Sequence, residues 1–359
     1  MSITQKLSKR GAILAASLVL GAAFTASSLS AQSVSTTPVG AVTTTVKANS
    51  DERAGIVLQR ASLFTSKVSS VASGTITVSG TISSLGSETK YVKFTSGAQL
   101  GQWFTLTASS STTLTVVENL ATLGVVANDT FEVRPFWTLA TLLPAGGGLP
   151  ASADFYDPSS FVFFNDPSAV GINLAAFASY FYFSGDADNV AGWYNNGDYS
   201  SANGAIINPD VSITFRNVTV QNKSIVTVGE VPASKIAIAV ASKAAASQDN
   251  IIYNPYPASL TLATSSLVSS NAVKPSADFY DPADQLFVYA TSSTGLNAAA
   301  SKAYFYFVGD GDNAAGWYDS SDYSNAANAT IPSGAAFIIR KAKGSNAIVD
   351  WIPALPYTL

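Results

Sequence analysis

The chain has 359 residues, 19 of them Lys or Arg and 23 Asp or Glu, with no His, no Cys and a single Met at position 1. These absences exclude disulfides, thiolate nucleophiles, zinc held by Cys or His, ordinary haem ligation, and Ser-His-Asp or Cys-His catalysis. Any metal would be a hard ion held by oxygen, and the net charge of −4 gives no attraction for nucleic acid.

Lys6, Lys9 and Arg10 precede an apolar run from Ala12 to Phe24 and a small-residue stretch ending at Ala31. That order predicts a secretory signal peptide over residues 1–31. The run is interrupted by Ser17 and Gly21 and is shorter than the roughly 20 residues that span a bilayer. Cleavage would leave 16 basic and 23 acidic residues, a net −7. No later segment is apolar enough to span, so no membrane span is expected after cleavage. The expected location is extracellular or at the cell surface, with the periplasm as the other compartment.

Residues 32–50 are rich in Ser, Thr and Val and read as a linker or mobile arm, although the alternation through Val42, Thr44 and Val46 also suits a strand added to a neighbouring subunit. Residues 51–144 read as an N-terminal β domain, because short β-branched and aromatic runs recur between Gly, Ser and Asn turns. Ser87 and Lys90 have the spacing of a Ser-Lys nucleophile pair, but no companion motif accompanies them and a solvated loop is expected. Gly146, Gly147 and Gly148 mark a boundary.

Beyond that boundary the chain repeats itself. Ser152-Ala153-Asp154-Phe155-Tyr156-Asp157-Pro158 recurs as Ser276-Ala277-Asp278-Phe279-Tyr280-Asp281-Pro282, an offset of 124 that holds without a gap to Arg216 and Arg340. The copies are expected to share a fold, module 1 over 149–232 and module 2 over 274–359. Between them a connector spans 233–273, with a strand suggested by Ile236, Ile238 and Val240 and a helical tendency in Lys243–Ser247. The expected fold class is all-β: a small N-terminal β domain followed by two homologous antiparallel β modules of sandwich or barrel type.

The repeated acidic loops are the main candidates for chemistry. Asp186, Asp188 and Asn189, with Asp198 beyond, match Asp310, Asp312, Asn313 and Asp322. Alternating carboxylates and amide carbonyls on a tight turn suit Ca²⁺, which collects about six to eight oxygens. The spacing is not that of an EF-hand, and the competing reading is a turn in which Asp and Asn cap their own backbone. Trp193, Tyr194 and Tyr199, with their counterparts Trp317, Tyr318 and Tyr323, stand beside these loops as a candidate platform for stacking on sugar rings; ordinary packing is the alternative. Arg216 and Arg340 are expected to pair locally with carboxylates. No catalytic residues are assigned, and Asp186 with Asp198 is a carboxylate pair that a glycan hydrolase could use.

The run Asp129, Phe131, Glu132, Val133, Arg134, Pro135, Trp137, Thr138, Leu139, Leu143 and Pro144, two Tyr-Phe-Tyr modules, and a closing Pro332-Ser333-Gly334 with Phe337-Ile338-Ile339-Arg340 resemble an uncharacterised family of exported, paralogue-rich proteins of verrucomicrobial bacteria. The first module departs from that pattern at Pro209, Asp210 and Ile213. The resemblance implies an exported β protein and carries no functional residues with it. The expected function is a non-enzymatic structural or surface-assembly role in a surface layer, fibre or matrix, with self-assembly or other surface proteins as partners. A carbohydrate-binding adhesion module, Ca²⁺-dependent or not, is the alternative, and a carboxylate-based glycan hydrolase ranks third.

Overall fold

Period-two alternation of apolar and polar side chains produces strands that bury one face. The computed structural model describes residues 37–289 and 294–359, so the expected signal peptide and the first residues of the expected arm lie outside the described residues. β1 (Val39–Val46) and β2 (Ser50–Ala54) come first. β3 (Phe64–Ala72), β4 (Thr75–Val78), β5 (Lys90–Phe94), β6 (Trp103–Ser109), β7 (Thr113–Val116) and β8 (Thr130–Pro135) follow and close into a barrel, β3-β4-β7-β6-β5-β8. Val68, Ile76, Val92, Phe94, Leu114, Phe131 and Val133 fill its interior.

The chain continues through β9 (Trp137–Thr138), the one-turn helix α1 (Leu139–Leu142), β10 (Phe161–Phe164), β11 (Ala178–Phe183), β12 (Gly192–Asn195), β13 (Ile206–Ile207), β14 (Ile213–Asn217) and β15 (Lys223–Glu230). Then come β16 (Ile238–Ser242), β17 (Gln248–Tyr253), β18 (Leu260–Thr261), β19 (Gln285–Val288), β20 (Lys302–Phe307), β21 (Gly316–Asp319), β22 (Thr330–Ile331), β23 (Ala336–Lys341) and β24 (Ala347–Trp351). The fold is all-β and antiparallel throughout its named ladders.

Each module is built on one five-stranded sheet, β2-β14-β10-β11-β12 in the first and β17-β23-β19-β20-β21 in the second. Two-stranded ribbons accompany each sheet: β1-β15 and β9-β13 in one, β16-β24 and β18-β22 in the other. The elements correspond one for one, so the structural repeat is larger than the sequence repeat. Asp51 and Asp249 occupy equivalent places 198 residues apart, whereas Thr138 and Thr261 are 123 apart. The difference is the barrel, inserted between β2 and β9, where module 2 crosses from β17 to β18 through residues 254–259 alone.

Three expected boundaries are corrected by this arrangement. The arm expected over 32–50 is strand from Val39, paired in register with β15 from Val39↔Glu230 to Val46↔Lys223; its alternation buries Val46 within its own chain. The domain expected over 51–144 is the barrel flanked by pieces of module 1, since Ser50–Ala54 pairs with β14, and Leu139 and Leu142 lie in the module 1 core. The connector expected over 233–273 is the first part of module 2, and Lys243–Ser247 is a bend between β16 and β17, not a helix. Among the described residues no helix is long and apolar enough to cross a membrane.

Each sheet buries one face in its own module. Val162, Phe164, Ile213 and Phe215 pack with Trp193, Leu139 and Ile207, and Leu286, Val288, Phe337 and Ile339 pack with Trp317 and Trp351. The opposite faces of β2, β10 and β14 and of β17, β19 and β23 are turned towards the other module. Close approach there needs Gly55, whose N–H donates to Gly334 O at 2.8 Å and where any Cβ would run into the Tyr253 ring.

Candidate functional site

The repeated acidic loops are turns that cap themselves. Asp186 Oδ1 accepts from the backbone N–H of Asp188 at 2.9 Å and of Asn189 at 2.7 Å, and the Asp186 N–H donates to Asn189 O at 2.9 Å. Asp310 repeats this with Asp312 at 2.9 Å and Asn313 at 2.6 Å. Asp198 Oδ1 accepts from the Ser200 N–H and hydroxyl, and Asp322 Oδ1 from the Ser324 N–H. These bonds favour the ionised form: the N–H groups of Asn313 and Asp312 hold Asp310 below the usual carboxylate range, and Ser200 and Ser324 do the same for Asp198 and Asp322. Among the described residues no group of three or more acidic side chains comes together in a way that would hold a metal ion.

Of the aromatic residues expected to form a stacking platform, Trp193, Tyr194, Trp317 and Tyr318 turn inward. Cross-strand register pairs Trp193 with Tyr182 and Trp317 with Tyr306, placing both tryptophans on the core faces of their sheets. Trp193 is 1% exposed and donates from Nε1 to Leu143 O at 3.0 Å; Trp317 is 3% exposed. Tyr194 and Tyr318 are buried on the opposite face beside Phe155 and Phe279, with hydroxyls donating to Val190 O at 2.8 Å and Ala314 O at 2.7 Å. Tyr156 and Tyr280 are instead exposed, at 72% and 73%, each edge-on to Tyr199 or Tyr323 with centroids 5.2 and 5.3 Å apart. Their signal was the repeated Asp-Phe-Tyr-Asp, in which one ring of each Phe-Tyr dipeptide packs and the next faces water.

The Ser87-Lys90 pair forms no nucleophile. The Lys90 ammonium is nearly buried and donates to the carbonyls of Gly86, at 2.8 Å, and Glu88. A larger buried charge cluster lies where the barrel meets the modules. Glu132 accepts from Arg134 at 2.8 Å and lies 3.4 Å from Lys93; Arg134 also reaches Glu230 of β15 at 2.6 Å, and Lys93 donates to Ser234 Oγ at 2.9 Å. Burial pushes Lys93 down to about 8 against the pull of Glu132. Burial alone would raise Glu132, but Lys93 and Arg134 outweigh it and hold the carboxyl low. Each charge is thereby paired, so the cluster fixes the barrel and exposes no reactive group.

The modules grip each other reciprocally. Arg216 donates from Nε and Nη2 to both Asp51 oxygens, each at 2.7 Å, and from Nη2 to Asn297 Oδ1 of module 2 at 2.8 Å. The Asn297 N–H donates back to Asp51 Oδ2 at 2.7 Å. Arg340 holds Asp249 at 2.7 and 2.9 Å and Asn173 of module 1 at 3.1 Å, while the Asn173 N–H donates to Asp249 Oδ2 at 2.7 Å. The guanidinium groups lie over Phe163 and Phe287 at 4.7 and 4.9 Å. Both arginines thus pair with carboxylates as expected, but the partners are 165 and 91 residues away. Beside this clasp a cleft of about 570 Å³ opens between the modules, lined by Arg53, Asn165, Thr214, Ile251, Tyr289 and Ile338 among others.

Comparison with protein-family profiles, curated proteins and solved structures gives no match to this chain.

Proposed function

We propose that this chain is an exported, non-enzymatic structural protein, a component of a surface layer, fibre or matrix that associates with further copies of itself. The observation that supports this reading best is the β1-β15 ribbon. Among the described residues β1 has a strand partner on one side only, and it carries no charged residue and no proline over its eight residues. With β15 it presents Val39, Val226 and Val228 to solvent at 68%, 54% and 56% exposure. Edges of this kind are usually blunted by Lys, Pro or a bulge, because unpaired N–H and C=O groups template another strand. A groove of about 310 Å³ runs beside the open edge, between Val42–Thr45 and Gly55, Gly334 and Ala335, a shape that suits an added extended segment. Sizing and electron microscopy of the mature protein over a range of concentrations test this. Wild type should form larger species, and Val226→Lys with Val228→Lys should stay monomeric at unchanged melting temperature. A wild type that is monomeric throughout and featureless in micrographs overturns the reading.

A second reading, carbohydrate binding by an adhesion module, is favoured by the exposed rings of Tyr156 and Tyr280, each packed edge-on against Tyr199 or Tyr323. Tyrosine presents a rigid apolar ring with a polar tip at a wet surface. A glycan array probed with wild type and with Tyr156→Ala plus Tyr280→Ala, with and without chelator, tests it; absence of any wild-type signal rejects it.

A further inference from the structure

We infer that the cleft between the modules is a binding site for a small sugar acid, with Arg53 receiving its carboxylate. The inference rests on neither reading above. The duplication allows each position of one module to be compared with its equivalent in the other. Where the modules clasp, equivalent positions carry the same residues: Asp51 and Asp249, Arg216 and Arg340, Asn173 and Asn297, Phe163 and Phe287. In the cleft itself they differ. Arg53 of β2 stands opposite Thr214 of β14 and matches Ile251 opposite Ile338; Asn165 matches Tyr289. A seam that served only to join two copies would need no such division. Here one wall offers Arg53, Thr214 and Asn165, and the facing wall offers Ile251, Ile338 and the Tyr289 ring.

The charge arrangement selects the ligand further. Arg216 is neutralised by Asp51, but Arg53 pairs with no carboxylate among the described residues. Its guanidinium lies 4.1 Å from the Tyr289 ring centroid and donates one weak bond, from Nη1 to Ala298 O at 3.4 Å. A half-buried guanidinium held over an aromatic ring, with donors to spare, is a receptor for a planar oxyanion. The volume falls within the range of small-molecule sites, which pair apolar walls with a few placed polar groups. A pyranose carrying a carboxylate matches each part: the acid meets Arg53, the hydroxyl rim meets Thr214 and Asn165, and the C–H face lies on Ile251 and Ile338.

Titration calorimetry of the full mature chain with galacturonate and glucuronate, with galactose, glucose and acetate as controls, tests the site. The uronates should bind, the neutral sugars and acetate should bind at least tenfold more weakly, and Arg53→Ala should weaken uronate binding tenfold or more. Thr214→Val, which keeps shape and removes only the hydroxyl, should weaken it severalfold, and covers the case in which Arg53→Ala fails to fold. Equal binding of acid and neutral sugars, uronate binding that survives both substitutions, or no heat with any ligand at millimolar concentration would each overturn the assignment.

Discussion

Arg216 and Asp51 are 165 residues apart in the chain and joined by two hydrogen bonds of 2.7 Å. The Asp51 side chain is 5% exposed and that of Asp249, held by Arg340, is fully buried. Removing an arginine therefore leaves a buried carboxylate without its counter-charge, at a cost of about 3–5 kcal/mol. Arg216→Ala and Arg340→Ala should each lower stability in urea unfolding by this order, with Arg340→Ala at least as severe. Arg216→Lys keeps the charge but loses the two-pronged geometry and should fall between wild type and Arg216→Ala.

Glu52 supplies a pH dependence of defined sign. It points away from the clasp, on the opposite face of β2 from Asp51 and Arg53, and burial pushes its carboxyl up to about 7 although Lys47 pulls it down. Its pKa is higher folded than unfolded, so the folded state holds the extra proton between about pH 4.5 and 7. Stability from this group is complete below that window and is lost as pH rises through it. Glu52→Gln should accordingly stabilise the protein at pH 8, by up to about 3 kcal/mol from a shift of this size, and leave it unchanged at pH 4. Thermal melts of the two proteins at both pH values provide the measurement.

The acidic loops make a prediction that separates turn from metal site. Asp186→Ala and Asp310→Ala each remove two backbone-capping bonds and should each lower the melting temperature slightly. Because those oxygens are already engaged, added calcium should leave the melting temperature of wild type where it is. A calcium-dependent rise that disappears in Asp188→Asn with Asp312→Asn would instead show that the loops hold the ion.

How far the sequence reveals this architecture depends on the element. The 124-residue offset is plain because β11 and β12 keep their aromatic residues in β20 and β21, and the Asp-Phe-Tyr-Asp and Gly-Asp turns around them recur. The strands that open each module escape notice for two reasons. The inserted barrel changes the offset to 198, and a two-faced strand can satisfy its packing with many apolar residues, so β2 and β17 share little beyond the aspartate that meets the clasp arginine. The tryptophans were legible as important but not as buried. A residue beside Gly and Asp belongs to either face until its cross-strand partner is known, and the pairing of Trp193 with Tyr182 decides it. Arg53 gave no signal at all, since its meaning comes from a ring in the other module.

The insertion itself can be tested by reversal. The chain enters and leaves the barrel side by side: Trp137 Nε1 donates to Leu58 O at 2.9 Å, and Arg60 Nη1 donates to Phe136 O at 3.2 Å. The barrel has its own closed core, and Val57 and Leu58 pack with module 2 before the chain departs. Replacing residues 60–135 with a short Gly-rich linker should therefore preserve both module cores and the clasp. It loses the Arg134 bond to Glu230, the Ala237 N–H bond to Gly101 O, the packing of Phe136 on Tyr91 and Trp103, and the cover that the barrel gives Ser234; Glu230, left facing water, then carries little penalty. The shortened chain should unfold cooperatively and keep the destabilisation caused by Arg340→Ala. Loss of cooperative unfolding would show instead that the buried Lys93-Glu132-Arg134 cluster makes the barrel an integral part of one fold.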